Sequence, residues 1–284
     1  MPSTTASTLS ASAASTIPAA PAAVAAPAGP APSTRFAVPG RIAVSNRAAA
    51  TWQRATLTEI RRETPHAATF RFAVPEWAGH LPGQHLMLRL RAPDGYAAQR
   101  HYSIASPPDD AGHVELTLDH VDGGEVSGWF HTVAKPGDEV ELRGPLSGFF
   151  AWPGDRPALL IGAGSGVVPL MSMVRHHRAR NLTVPLRLLV SARGPEELIY
   201  ASEYGAETTA VFTRSAPTGV SVGRMAATHV ERLLADPPDG GPGGGPDGGW
   251  EAYVCGSNGF AEHASRLLVD AGQPVDRIRI ERFG

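Results

Sequence analysis

The sequence predicts an antiparallel β-barrel followed by an α/β domain with a parallel sheet. Between Trp52 and Phe150, short apolar–polar alternating runs are separated by Gly, Pro and Asp turns, which is typical of an antiparallel barrel. After Pro157, continuous apolar runs alternate with helical stretches, which indicates a parallel sheet flanked by helices. A length of 284 residues agrees with about two domains.

Two segments are expected to lie outside these domains. Residues 1–50 are almost all Ala, Pro, Ser and Thr, so they have little apolar surface to bury and we expect disorder. Residues 237–249, PPDGGPGGGPDGG, are predicted to form a flexible surface loop. The barrel is therefore assigned to residues 51–152 and the α/β domain to residues 156–284.

Alternation identifies the barrel strands. In residues 113–120, Val114, Leu116 and Leu118 alternate with polar side chains, so one face of the strand is apolar. Residues 69–74, 85–90 and 139–142 form similar short runs.

The second half alternates strand and helix predictions. Pro195, followed by two glutamates, is typical of the first turn of a helix. The predicted strands cover residues 158–161, 186–190, 210–213, 252–255 and 278–280, and the other helices cover about 169–180, 225–234 and 260–271.

Composition excludes several classes of function. Lys and Arg total 25 and Asp and Glu total 27, so the chain is not a broadly basic nucleic-acid binder. A single cysteine, Cys255, cannot form an internal disulfide, a usual structural zinc site or a four-thiolate iron–sulfur cage, and no metal site is predicted. Without an apolar run near 20 residues or a signal peptide, we expect no membrane association and a cytoplasmic location.

A glycine-rich turn carries the strongest local signal. Gly162, Gly164 and Gly166 follow a buried strand and open a helix that reaches Pro169. Such a turn allows close backbone approach, and the helix start offers N–H groups that suit a pyrophosphate. Val167 replaces the third glycine of the usual spacing, so a turn without a ligand remains an alternative.

Polar residues follow the next two strands of this half. Ser191 and Arg193 occupy the place where an NAD site usually has an acidic residue, and Thr213 and Arg214 come after the third strand. Two guanidinium groups and two hydroxyls suit a 2′-phosphate, which favours NADPH over NADH. The alternative is that both arginines are solvated loop residues.

Two further motifs lie in the barrel half. Residues 100–103, Arg-His-Tyr-Ser, are expected at the start of a strand, with Arg100 and Tyr102 on one face and Ser103 on the other. Residues 123–129 could begin a helix whose N–H groups and Ser127 hydroxyl point at a phosphate. Each motif alone is a weak signal.

In their order and spacing, these motifs resemble those of the ferredoxin–NADP reductase family of flavoproteins. Within that family, the chain is most similar to the stand-alone bacterial oxygenase-type reductases. The resemblance covers residues 52–284. The matching segments are residues 81–84, 100–103, 124–127, 144–149, 162–169, 253–256 and 281–283.

The resemblance implies FAD in a six-stranded barrel domain and a nicotinamide dinucleotide in the α/β domain. Arg100 would pair with the flavin pyrophosphate, Tyr102 would pack on the flavin and Ser103 would hydrogen-bond near its reactive N5. Together with the residue-based arguments, cofactor binding is assigned to Arg100, His101, Tyr102, Ser103, His120, Val121, Gly124, Val126, Ser127, Gly162, Gly164, Ser165, Gly166, Pro169, Ser191, Arg193, Thr213, Arg214, Cys255 and Gly256.

The same resemblance implies four residues at the reacting centre. Ser103 and Cys255 would border the flavin N5 and the nicotinamide C4, and Cys255 would position the ring without acting as a nucleophile. Glu281 would orient or protonate the centre, and Phe283 would cover the flavin until nicotinamide arrives. Core packing is the alternative role for Cys255 and Phe283.

The implied function is hydride transfer from NADPH or NADH to FAD, followed by single-electron transfer to a separate acceptor. That acceptor would be a ferredoxin or a metal-containing oxygenase or molybdenum partner, because the chain lacks the cysteines of the iron–sulfur domain that many oxygenase reductases carry. Two alternatives remain open: a flavin or quinone reductase with a diffusible acceptor, and a non-catalytic flavin- or nucleotide-binding sensor.

Overall fold

The computed structural model describes residues 51–235 and 249–283. The predicted disordered tail and residues 237–248 of the predicted loop lie outside this range. None of the described helices is long and apolar enough to cross a bilayer.

The first half forms a six-stranded antiparallel sheet in the order β4-β3-β6-β1-β2-β5. A bridge between Ile104 and Leu116 joins the two edge strands and closes the barrel. This confirms the predicted architecture. The elements are β1 (Gln53–Arg62), β2 (Ala67–Ala73), β3 (His85–Arg91), β4 (Ala97–Ser103), β5 (His113–Asp119), α1 (Glu125–Thr132) and β6 (Glu139–Leu146).

The Arg-His-Tyr-Ser motif occupies the end of β4, so its expected place at a strand start was wrong. A turn containing Gly95, at φ +91°, reverses the chain before β4 begins. Strand β4 then pairs with the whole of β3, from Arg91 opposite Ala97 to His85 opposite Ser103. The motif therefore lies at the far end of the hairpin from the turn.

Inward-facing apolar side chains fill the barrel. Phe70, Phe72, Leu86 and Leu88 are fully buried. Helix α1 covers one end of the barrel with Phe130, whose ring lies 4.8 Å from that of Phe70 in an edge-on arrangement. The first turn of α1 is thereby fixed beside the open ends of β4 and β5.

The second half is a five-stranded parallel sheet in the order β11-β10-β7-β8-β9. Separate apolar clusters cover its two faces, as expected for strands buried on both sides. The α/β prediction is confirmed. The elements are β7 (Ala158–Ala163), α2 (Val167–Ala179), β8 (Leu186–Ala192), β9 (Thr208–Phe212), α3 (Ala227–Leu234), β10 (Glu251–Ser257), α4 (Asn258–Asp270) and β11 (Ile278–Phe283).

The helix expected at Pro195 does not form. Pro195–Glu197 is a single 3₁₀ turn, and Leu198 is already extended, at φ −77° and ψ 102°. The following residues Ile199 and Tyr200 are buried in the core, which requires the chain to turn inward at this point. Tertiary packing of these two side chains overrides the local helix-start signal.

Arg175 on α2 ties the two halves together. Its guanidinium donates to the carbonyl of Ala105 at 2.9 Å and to Glu115 of β5 at 3.0 Å, and on its other side it pairs with Glu203 at 2.9 Å. Burial opposes the positive charge, but the contacts with Glu203 and Glu115 outweigh it and raise the pKa of Arg175. A buried charge thus requires carboxylates from both domains.

Replacing Arg175 by Met is expected to lower the free energy of unfolding by about 3 kcal/mol, because it removes the cation that pairs with Glu203 and one of the three arginines around the buried Glu115. Urea unfolding measures the loss. Arg266→Met is the control: Arg266 pairs with Glu262, but both side chains are more than 60% exposed, and a change below about 0.5 kcal/mol is expected. Equal losses in the two variants would contradict a special role for Arg175.

His80 is a second buried group at the domain boundary. Trp77 donates its indole N–H to His80 Nδ1 at 3.2 Å, so Nε2 carries the proton and donates to the Ser106 carbonyl at 3.0 Å. Ser172 of α2 donates to the same carbonyl at 2.7 Å. Burial lowers the pKa of His80 to about 4, so the neutral ring is the stable form.

Because an unfolded histidine titrates near pH 6.5, the stability from neutral His80 is present above that pH and is lost as pH falls toward 4. When the pH falls from 7 to 4.5, the free energy of unfolding of His80→Gln is expected to decrease by about 2.5 kcal/mol less than that of the parent protein. Urea unfolding at the two pH values tests this. His66→Gln, at a 62% exposed side chain, is the control. Parallel pH dependence of parent and His80→Gln would refute the assignment.

Candidate functional site

Three cavities meet where the carboxyl ends of the parallel strands face β4, β5 and α1. The first, of about 500 Å³, lies on the barrel side. Of the predicted site residues it is lined by Arg100, His101, Tyr102, Ser103, Val121, Gly124, Val126, Ser127, Ser165 and Phe283.

The second cavity, of about 720 Å³, lies over the glycine turn. The third, of about 520 Å³, continues from it past β8 and β9. Predicted residues lining the second are His120, Gly164, Ser165, Gly166, Ser191, Arg193, Thr213, Gly256 and Phe283, and those lining the third are Ser191, Arg193, Thr213 and Arg214. Gly162, Pro169, Cys255 and Glu281 line none of the three.

The end of β4 supplies the polar wall of the first cavity. Arg100 is exposed, and its guanidinium donates to the carbonyl of Gln99 at 2.7 Å. The ring of Tyr102 packs against the barrel core, and burial raises the pKa of its phenol to about 12, so it stays neutral. Ser103 is buried, and its hydroxyl has no hydrogen-bond partner in the described chain. The wall thus combines a cation, a flat ring and an unpaired hydroxyl.

The start of α1 forms the floor at the other end of this cavity. A Cβ atom on Gly124 would come within 2.5 Å of Ser127 Oγ, so the turn requires glycine. Ser127 Oγ accepts from the Val121 N–H at 3.3 Å, which leaves its own hydroxyl proton available. The side chain of Val126 is buried in the barrel, so only its backbone N–H can serve a ligand. An anion fits this helix start.

The glycine turn between β7 and α2 is equally constrained. Gly164 has φ +54°, and a Cβ on Gly166 would lie 2.3 Å from the carbonyl oxygen of Cys255. Pro169 is buried inside α2, away from the cavity. The backbone angle at Gly164 therefore favours glycine, and the contact with β10 requires it at Gly166. The turn leaves the N–H groups at the start of α2 available to a ligand in the second cavity.

Phe283 lines both of the first two cavities, as do Asp119 and Ser165. Phe283 is the last residue of β11, pairs with Ser257 at the end of β10 and packs against the apolar cluster that holds Cys255. Ligands in the two cavities would meet at its ring.

Beneath Phe283, Cys255 and Glu281 are neighbours on paired strands. Cys255 is fully buried, and burial together with the nearby Glu281 charge raises the pKa of its thiol. A protonated, enclosed thiol does not act as a nucleophile. Glu281 Oε2 is a buried oxygen without a hydrogen-bond partner, as is Ser103 Oγ. Of these two atoms Ser103 Oγ lies at the wall of the first cavity, where it fits a polar ligand edge that would pair with it.

Three site residues were missed by the sequence reasoning. Arg224 and His263 line the third cavity with Arg193 and Arg214, and His263 Nε2 hydrogen-bonds the Met225 carbonyl at 2.7 Å. No local sequence pattern marks Arg224. It reaches the third cavity because the segment that follows β9 folds back toward it. His85 of β3, 3.4 Å from Glu281, was likewise missed. The described residues contain no cluster of three or more potential metal ligands.

Comparison with known proteins shows related sequences and folds. Residues 54–151 match the family of the oxidoreductase FAD-binding domain. The chain is 29% identical to the reductase component of propane 2-monooxygenase from Rhodococcus jostii, over 81% of this chain and 63% of that protein. It is 30% identical to an NADPH oxidoreductase from Mycobacterium tuberculosis, over 81% and 60%. The chain thus spans less than two thirds of the length of these relatives.

Solved structures share the two-part fold. A ferredoxin NADP⁺ reductase from Neisseria gonorrhoeae, with bound FAD and NADP, superposes with a TM-score of 0.68 at 22% identity, covering 82% of this chain and 99% of that one. The FAD/NAD-binding domain of a nitric oxide dioxygenase from Vibrio cholerae also gives 0.68 at 22% identity, covering 82% and 98%.

Proposed function

Because the chain belongs to the ferredoxin–NADP reductase family, we propose that it is a flavoprotein reductase that oxidises NADPH or NADH through bound FAD and passes electrons to a separate acceptor. One observation carries the proposal: Phe283 lines both the barrel cavity and the glycine-turn cavity. Ser103 lines the barrel cavity, and Glu281 lies two residues before Phe283 on β11. Two ligands bound there would have their reactive ends side by side.

The barrel residues suit FAD. When bound, FAD supplies a ring that accepts a hydride from NAD(P)H and gives up electrons singly. Arg100 and the N–H groups at the start of α1 would hold the pyrophosphate, since both offer positive charge to its oxygens. Tyr102 would support the flavin ring, and the Ser103 hydroxyl would hydrogen-bond near N5.

The α/β residues suit a nicotinamide dinucleotide. The N–H groups after Gly164 and Gly166 would bind its pyrophosphate. The nicotinamide would then replace Phe283 over the flavin, above Gly256 and the buried edge of Cys255. Tight stacking of two rings excludes water and sets the donor and acceptor atoms in contact, which is the protein's contribution to hydride transfer.

Electrons leave the chain to another protein. The 284 residues contain one cysteine, so they cannot themselves supply four thiolates to an iron–sulfur cluster. Relatives are named as reductase components of monooxygenases, among them a 3-ketosteroid-9-alpha-monooxygenase from Mycolicibacterium smegmatis. This supports a ferredoxin or a metal-containing oxygenase as acceptor, in preference to a free quinone or flavin.

Anaerobic titration of the FAD-loaded protein, followed by its visible spectrum, tests the proposal. We expect near-stoichiometric NADPH to bleach the flavin, and the reduced protein to transfer electrons faster to a plant-type ferredoxin than to a quinone or free flavin. Faster transfer to the diffusible acceptors would assign the protein to the flavin or quinone reductases. A protein that binds FAD but is bleached by neither NADPH nor NADH would be a sensor, and the proposal would fail.

The third cavity generates a separate prediction about cofactor choice. Arg193, Arg214 and Arg224 converge there, and we infer that they bind the 2′-phosphate of NADPH. Replacing Arg214 or Arg224 by Ala should weaken NADPH binding roughly 10- to 100-fold and leave NADH binding nearly unchanged, since each removes a charge-assisted hydrogen bond.

Spectroscopic titration of each variant with both nucleotides measures the effect. Arg266→Ala is the control, because this exposed arginine on α4 pairs with Glu262 outside the cavity. An equal loss of NADPH and NADH affinity in the Arg214 and Arg224 variants would contradict 2′-phosphate recognition.

A further inference from the structure

A hydrogen bond joins the turn between β3 and β4 to the first turn of α1. Tyr96, the residue before β4, donates its phenolic O–H to Glu125 Oε1 at 2.8 Å. Glu125 is the first residue of α1, and its neighbours Gly124 and Ser127 line the first cavity. Tyr96 and Glu125 do not line that cavity themselves. Their bond lies beside the end of the cavity that suits a phosphate.

The turn fixes the direction from which Tyr96 approaches α1. The Tyr96 N–H donates to Asp94 Oδ1 at 3.0 Å, and the Tyr96 carbonyl accepts from the Ala92 N–H at 2.9 Å. The side chain of Tyr96 is nevertheless 57% exposed, so core packing does not hold it. The phenol therefore owes its position to the backbone of the turn and to the hydrogen bond with Glu125.

Tyr96 lies in line with the cofactor-binding residues of β4. Alternate residues of a strand share a face, and this alternation, continued by one residue, places Tyr96 on the face that carries Arg100 and Tyr102. The hydrogen bond to Glu125 and the charge of Glu125 raise the pKa of Tyr96, whereas the charge of Arg100 acts in the opposite direction. Both charges thus lie near the phenol, which stays protonated and donates.

The position of Glu125 creates a conflict for an anionic ligand. A carboxylate in the first turn of a helix is stabilised by the same N–H groups and dipole that would bind a pyrophosphate. Arg100 is a second group with which this carboxylate could pair. In the part of the chain that the structure describes, however, the Arg100 guanidinium donates to the Gln99 carbonyl and forms no ion pair. A released Glu125 carboxylate would repel the pyrophosphate and compete for the groups that bind it.

We propose that Tyr96 is a positioning residue for FAD, which donates to Glu125 and thereby holds this carboxylate away from Arg100 and from the N–H groups at the start of α1. This rests on the placement of the FAD pyrophosphate in the proposed function. A phenol suits the task because it is a neutral donor. It fixes the carboxylate without adding a cation that would attract the pyrophosphate away from Arg100.

Release of FAD from the loaded protein, followed by flavin fluorescence after dilution, tests the proposal without turnover. Tyr96→Phe keeps the ring and removes only the hydroxyl, and it is expected to weaken FAD binding about three- to tenfold. Glu125→Gln removes the charge and should bind FAD at least as tightly as the parent does. When Tyr96→Phe is added to Glu125→Gln, the further loss should stay below about 1.5-fold, because no carboxylate is left to hold.

Two variants control this experiment. Tyr204→Phe removes a tyrosine hydroxyl that donates to the Ile199 carbonyl in the α/β domain, and Glu262→Gln neutralises an exposed carboxylate on α4. Both should bind FAD as the parent does. Unchanged FAD affinity in Tyr96→Phe would overturn the proposal. An equal loss from Tyr96→Phe with and without Glu125→Gln would also overturn it, because the hydroxyl would then act independently of the carboxylate.

Folding is checked in the same samples. Since the side chains of Tyr96 and Glu125 are both exposed, their variants should keep the urea midpoint of the parent. A lowered midpoint in Tyr96→Phe that Glu125→Gln does not restore would assign the loss of FAD to the turn itself and overturn the proposal.

Failure of this proposal and failure of the proposed function are distinguishable. FAD binding needs no nucleotide, so a parent that binds FAD but is reduced by neither NADPH nor NADH would reject the function and leave this test intact. Arg100→Ala tests the placement of the pyrophosphate, and it should weaken FAD binding about 10- to 100-fold. Unchanged FAD binding in Arg100→Ala would reject that placement and the proposal with it.

Discussion

The buried guanidinium of Arg175 is the contact on which the arrangement of the two domains depends. A charge at this depth is tolerated only with close counter-charges, and these come from Glu115 on the barrel and Glu203 on the α/β side. The guanidinium also lies over the ring of Tyr200, whose hydroxyl bonds Thr117 across the boundary. Together these contacts hold the two domains in their relative placement. That placement aligns the carboxyl ends of the parallel strands with the ends of β4 and β5.

The site follows from this alignment. Each half supplies part of the proposed reaction centre: the barrel provides Ser103, and the α/β sheet provides Glu281 and Phe283. Strand β11 brings its last residues to the boundary because it runs parallel to β10, with Cys255 beside Glu281 and Ser257 beside Phe283. Two polar atoms left unpaired there, Ser103 Oγ and Glu281 Oε2, lie where the proposed flavin edge would be accommodated. The contact that holds the two domains together therefore also assembles the proposed site.

Local signals accounted for much of the fold. Alternation identified barrel strands such as β5, and continuous apolar runs identified buried parallel strands such as β7, because side-chain periodicity reflects which faces are covered. The glycine motif was found for a related reason: the positive φ at Gly164 favours glycine, and only glycine permits the contact of Gly166 with Cys255. At Pro195 the local signal failed, because burial of Ile199 and Tyr200 is worth more than one helical turn.

The sequence by itself determined the two architectures, the phosphate-type turns and the order of motifs that define the family, since these depend on neighbours close along the chain. The tertiary structure alone decided which residues meet. It enclosed Cys255 and Pro169 away from the cavities, added Arg224 and His263 to the arginine cavity, and set His85 against Glu281 from a strand almost two hundred residues away along the chain. Such long-range contacts leave no local pattern, because they arise from the packing of whole domains against each other.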